Sequence, residues 1–168
     1  MKQKIATIFG ASGFIGRHLI RGLTEKDFRI VAATRSPYLH EYLKPLGNPG
    51  QIDLEKVNLF DEERLRTLIK NSDVVINLVG ILYENRKQKF ENIHARFPDL
   101  LSKLCNEHNI EKFVHISALG PKEAWLARLH RRHLRDQKGA PLTSGDTFLM
   151  PPAHLSAKLA PTVIQARQ

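Results

Sequence analysis

At 168 residues the chain is long enough for one domain with a proper core and too short for two of ordinary size. Its 42% hydrophobic content is that of a globular protein, no apolar run approaches the roughly 18 residues that span a bilayer, and the single Cys105 excludes an internal disulfide. The net charge of +9 is uneven, because residues 121–168 hold 8 Lys and Arg against 3 Asp and Glu and so carry more than half of the surplus.

The first predicted element is the run Ile5-Ala6-Thr7-Ile8-Phe9, apolar or β-branched without strict alternation, as in a parallel strand covered on both faces. Gly10, Gly13 and Gly16 follow it, three residues apart. The first glycine lets the chain turn sharply off the strand, the second lets the backbone approach a pyrophosphate, and the third lets a helix pack against the sheet. Free N–H groups and the helix dipole favour an anion at such a turn. Gly10, Gly13 and Gly16 are therefore candidate pyrophosphate-binding residues, and Ser12, Phe14 and Ile15 between them are candidate cofactor contacts. The strand starts almost at Met1, leaving no room for a signal peptide, so a cytoplasmic protein is the simplest expectation.

A helix is predicted from Ile15 to about Glu25, with Ile15, Leu19 and Leu23 on one face and Ile20 beside them. The second strand is Arg29-Ile30-Val31-Ala32-Ala33-Thr34, stopped at Arg35-Ser36-Pro37. An acid near this strand end would bind a ribose 2′-hydroxyl, whereas an arginine can neutralise a 2′-phosphate. Arg35 stands there with no acid beside it, which favours NADP(H) over NAD(H); the plain alternative is a solvated arginine.

Residues 38–45 read as one or two helical turns, followed by the turn Gly47-Asn48-Pro49-Gly50. The stretch from Gln51 to Phe60 contains an irregular third strand ending at Val57-Asn58-Leu59-Phe60, and Asp61 caps a helix with Leu65, Leu68 and Ile69 on one face. In a dinucleotide fold Asn58 and Leu59 would lie near the adenine; on spacing alone Asn58 reads first as a residue that closes a strand.

Asp73-Val74-Val75-Ile76-Asn77-Leu78-Val79-Gly80 is the clearest buried strand. Ligands of open parallel sheets lie beyond the carboxyl ends of the strands, so Asn77, Val79 and Gly80 read as a site edge, with an Asn bonding only local backbone as the alternative. Tyr83 and Lys87 are four apart, but they follow the fourth strand, where no catalytic helix is expected. The next helix spans about Phe90 to Glu107, with Phe90, Ile93, Phe97, Leu100, Leu101 and Leu104 as its core stripe and a kink at Pro98. Cys105 is expected inside that stripe, and His94 and His108 have no metal-ligand partners at useful spacing. A fifth strand, Lys112 to Ser117, delivers Ser117-Ala118-Leu119-Gly120 to the ligand edge.

Strand and helix thus alternate five times, the pattern of an α/β doubly wound parallel sheet. The segments Gly10 to Gly16, Asn77-Leu78-Val79-Gly80-Ile81-Leu82-Tyr83-Glu84 and Val114-His115-Ile116-Ser117-Ala118-Leu119-Gly120 resemble the atypical, epimerase/dehydratase-like branch of the short-chain dehydrogenase/reductases. Within it they are most similar to the NAD(P)-binding accessory subunits of respiratory complex I (NADH-ubiquinone oxidoreductase) and their bacterial relatives, over residues 4–120. The resemblance implies a Rossmann fold, a bound NAD(P)(H) that is structural, and respiratory-complex subunits as partners, with a peripheral place at the inner face of the membrane. Classical members use a Ser, and a Tyr and Lys four apart on the next helix, for proton transfer beside hydride. Ser117 is near that serine's place, but no Tyr follows Tyr83, so cofactor contacts carry over and a complete active site does not. The alternative is an NADP-dependent reductase or epimerase whose catalytic half is missing.

Beyond Gly120 the pattern stops. Residues 121–168 hold 5 of the 9 prolines and no convincing strand, with only a basic helix expected from Trp125 to Leu134. The expectation is a Rossmann domain over 1–120, truncated after about five strands, and an irregular basic tail over 121–168 read as out-of-frame translation. A genuine tail binding lipid headgroups or nucleic acid is the competing reading. Nucleic acid is not expected, since the tail lacks interleaved aromatics.

Overall fold

The computed structural model describes residues 3–81, 83, 84, 89–118 and 147–150. Its elements are β1 (Ile5–Phe9), α1 (Phe14–Thr24), β2 (Arg29–Thr34), a 3₁₀ segment (Pro37–Leu46), β3 (Ile52–Lys56), α2 (Glu62–Ile69), β4 (Val74–Asn77), a π-turn (Asn92–Arg96), α3 (Phe97–Glu107), β5 (Lys112–Ala118) and β6 (Thr147–Met150). All pairings are parallel, in the order β3-β2-β1-β4-β5-β6. This is the doubly wound Rossmann arrangement, with its switch point between β1 and β4.

The runs without alternation are buried on both faces because the sheet is covered on both. Neighbouring residues belong to opposite cores: Phe9, Ala33 and Val75 pack with Phe97, Leu101 and Leu104, whereas Ile8, Ala32 and Ile76 pack with Ile20 and Leu43. α1 turns Gly16, Ile20 and Thr24 fully inward, while Leu19 and Leu23 flank them half-buried. The innermost stripe is thus one position away from the expected leucine stripe, because Gly16 is pressed against the backbone of Ala11 and sets which face of the helix turns inward.

Asp61 caps α2 as expected, its Oδ1 accepting from the Arg64 N–H at 3.1 Å. β3 ends at Lys56, earlier than the sequence suggested: the Val57 N–H still donates to the Thr34 carbonyl (2.9 Å), after which Asn58 opens a turn, its carbonyl accepting from Asp61 N at 3.2 Å. The kink at Pro98 takes the form of the π-turn before it, where the ladder widens by one residue instead of bending around a missing bond. Cys105 is fully buried in the α3 core, and burial pushes its thiol pKa up to about 12.

β6 pairs with β5 from His115↔Thr147 to Ala118↔Met150. No strand was expected beyond Gly120, because Thr147-Phe148-Leu149-Met150 is only a four-residue run ahead of two prolines. The expected basic helix from Trp125 to Leu134 and the rest of the tail lie outside the described residues, as does Lys87.

Candidate functional site

One row of register partners crosses the sheet through Glu55, Ala33, Phe9, Asn77, His115 and Thr147. Every candidate residue lies at or just past this row, so the Gly10–Gly16 turn, Arg35, Asn58-Leu59, Val79-Gly80 and Ser117 share the carboxyl-end rim. Near the opposite, amino-terminal end, side chains tie β4 to β1: the Asp73 carboxylate accepts from Ile5 N at 2.7 Å, and the Thr7 and Ser72 hydroxyls bond at 2.6 Å.

The turn after β1 is built by its glycines. Gly10 has φ +79°, and a Cβ there would stand 2.9 Å from the Leu78 carbonyl carbon and 3.1 Å from Val79 N, so only glycine lets the turn lie against the β4 exit. Gly16 would place a Cβ 2.3 Å from the Ala11 carbonyl oxygen; the contact it relieves is with the turn's own backbone rather than with the sheet. Gly13 is exposed, with only the Gly10 oxygen near its missing Cβ, and it serves as N-cap of α1 without a side-chain bond.

The Gly13 N–H donates to Gly10 O and the Arg17 N–H to Gly13 O, each at 3.1 Å, which leaves the N–H groups of Phe14, Ile15 and Gly16 free of protein acceptors among the described residues. No acid lies in the first turn of α1. Three backbone donors, the dipole end of an eleven-residue helix and an open glycine face fit a pyrophosphate.

Arg35 is exposed, with no hydrogen bond or ion pair among the described residues. Asn58 is exposed in its turn, and Leu59 is half-buried against the α3 core. Asn77 has no exposed surface: Oδ1 accepts from the Val79 N–H at 3.0 Å, and Nδ2 lies 3.1 Å from His115 Nδ1. A backbone N–H can only donate, so the amide orientation is fixed, and His115 Nδ1 is the acceptor of the second bond. Asn77 therefore ties β4 to β5 and shapes the loop carrying Val79 and the exposed Gly80. Ser117 lies within β5, in register with Leu149.

Two contacts had no sequence signal. Tyr42 donates its hydroxyl to the Ser12 carbonyl at 3.2 Å, and His94 Nε2 lies 3.2 Å from Ile81 N and 3.1 Å from Ile81 O, propping the loop after β4. Both partners are backbone atoms, which leave no mark in a sequence. Among the described residues no cluster of His, Cys, Asp or Glu could hold a metal ion, and no helix is long and apolar enough to cross a membrane.

Known proteins resemble this chain in sequence and in fold. The chain is 27% identical over 152 residues to NADH dehydrogenase (ubiquinone) 1 alpha subcomplex subunit 9, mitochondrial, of Rattus norvegicus, covering 90% of this chain and 40% of that protein. It is 34% identical over 124 residues to the protein of the same name in Dictyostelium discoideum, covering 71% and 33%. The chain thus spans well under half the length of these curated relatives, and the rat match, 152 of 168 residues long, runs past Gly120. Among solved structures, UDP-glucose 4-epimerase from Bifidobacterium longum, in complex with NAD+ and UDP, superposes with a TM-score of 0.65 at 16% identity over 79% of this chain and 50% of that one, a likeness of fold. The model of the NAD dependent epimerase/dehydratase family matches residues 6–124, most of the length, and the chain belongs to that family.

Proposed function

We propose that this chain holds NADP(H) as a structural cofactor, in a protein that serves a respiratory complex as an accessory subunit. The observation that carries the binding is the turn at the β1/β4 switch point, with the free N–H groups of Phe14, Ile15 and Gly16 above an open Gly13. In this reading those donors hold the pyrophosphate and Arg35, which has no acid beside it, takes the 2′-phosphate. Asn58 and Leu59 border the adenine, Val79 and Gly80 border the middle of the cofactor, Asn77 holds that loop in place, and Ser117 lies toward the nicotinamide end. The structural role rests on the likeness of the run from Asn77 to Glu84 to that of respiratory accessory subunits. The accessory role rests on the names of the mitochondrial relatives, which are subunits of NADH dehydrogenase (ubiquinone); the peripheral place at the inner face of the membrane follows only from the resemblance in sequence.

Titration of the full chain with NADPH and NADH tests the reading. NADPH should bind about tenfold or more tightly, as a charge-assisted contact to one phosphate gives. Arg35→Ala should abolish the preference while leaving NADH affinity unchanged. Equal or NADH-favoured binding by the unmodified chain would remove the role given to Arg35.

A further inference from the structure

We infer that Tyr42 is a positioning residue for the phosphate turn, provided that the turn binds a dinucleotide as proposed. Its hydroxyl selects the orientation of the Ser12–Gly13 peptide that presents the α1 N–H groups to an anion. That peptide is held at both ends: the Gly13 N–H donates to Gly10 O at 3.1 Å, and the Ser12 carbonyl accepts from Tyr42 at 3.2 Å. With glycine at 10 and 13, it is the softest part of the turn, free to rotate where other residues would not. If it rotated, the Ser12 carbonyl dipole could face the anion and oppose it.

Tyr42 is anchored through its neighbours. Leu43 is fully buried in the core shared with Ile8 and Ile20, and His40 Nδ1 lies 2.8 Å from the Ser36 carbonyl. The His40 ring meets the Tyr42 ring edge-on at 5.9 Å. The Tyr42 residue itself is 48% exposed, so the core gains little from it. Its one specific polar act is to fix a carbonyl of the turn. The 3₁₀ segment that begins after Arg35 and Ser36 thereby reaches across to the phosphate turn. Affinity falls in proportion to the fraction of molecules whose turn is already competent, and removing the hydroxyl lowers that fraction.

Tyr42→Phe removes the hydroxyl and keeps the ring. The full chain and the variant are titrated with NADPH, with ADP, which carries a diphosphate, and with 2′-AMP, which carries only the 2′-phosphate. The variant should bind NADPH and ADP about three- to tenfold more weakly, the worth of one hydrogen bond, and 2′-AMP as before. Amide exchange at Gly13 should quicken while the thermal midpoint stays within a degree or two. Unchanged ADP affinity, unchanged Gly13 exchange, or equal weakening of ADP and 2′-AMP would overturn the positioning role and leave the dinucleotide reading standing. Failure of the unmodified chain to bind NADPH or ADP would overturn both.

Discussion

The glycines offer a test in which one chemical change, the addition of a methyl group, has three different consequences. Gly22 lies inside α1 with nothing within 4 Å of a would-be Cβ, so Gly22→Ala should stabilise by about 0.5–1 kcal/mol through helix propensity alone. Gly50 has equally open surroundings but φ +78°, so Gly50→Ala isolates the left-handed strain, about 1–2 kcal/mol. Gly10 combines nearly the same φ, +79°, with a contact of 2.9 Å to the backbone of Leu78, which cannot swing aside as a side chain can. Gly10→Ala therefore adds an overpacking cost of about 1–3 kcal/mol to the strain and should destabilise by about 2–5 kcal/mol. Urea unfolding followed by far-UV circular dichroism would measure all three, with an unchanged m-value confirming that the midpoints report stability. The reasoning fails if Gly10→Ala costs no more than Gly50→Ala, because the β4 exit would then not press on the turn. It fails separately if Gly22→Ala destabilises.

Asn77→Ala should cost about 1–3 kcal/mol, since it leaves the half-buried Val79 N–H and the Nδ1 of His115 without the bonds that Asn77 supplies, and should slacken the loop carrying Gly80; urea midpoints and amide exchange at Val79 would report the two effects. Cys105 gives a pH dependence with a definite sign. Its thiol is raised from 9.0 to about 12 in the folded state, so the folded chain keeps a proton that the unfolded chain gives up. Its contribution to stability is intact below pH 9.0 and is lost as pH rises toward about 12, at a slope of up to about 1.4 kcal/mol per pH unit. Alkaline unfolding of the full chain and of Cys105→Ala should therefore converge as pH rises, and parallel curves would refute the assignment.

The frame of the site was legible in the sequence because strand cores and glycine turns write themselves into side-chain type. β1 and β2 fall where apolar runs meet Gly10 and Arg35, and Asp61 announces α2 by the chemistry of a cap. The end of β3 was misread because Val57 and Leu59 are apolar for a different reason: they roof the α3 core from a loop. Asn77 could be placed at a strand end, but its bond to His115 depends on β4–β5 register, which no local pattern encodes. Tyr42 read only as part of a helical turn or two because its partner is a carbonyl that every residue possesses. β6 was missed because four residues are too few for a period to be counted.

The π-turn at Asn92–Arg96 gives this helix an unusual tolerance of length. A π-turn is an α-helix carrying one residue too many, so deleting a single residue there would restore the regular ladder and leave α3 from Phe97 onward in place. The part of the helix before the deletion would rotate by about 100°. Phe97, Leu101 and Leu104 would keep their places in the core, while His94 would swing away from Ile81 and from Gly80. The proposed cofactor rim would change shape, and Ile93, buried in the same turn, would be displaced with it. Insertion or loss of one residue is usually ruinous inside a packed helix; here it would act as a tuning step, altering the mouth of the site without a single substitution in either core.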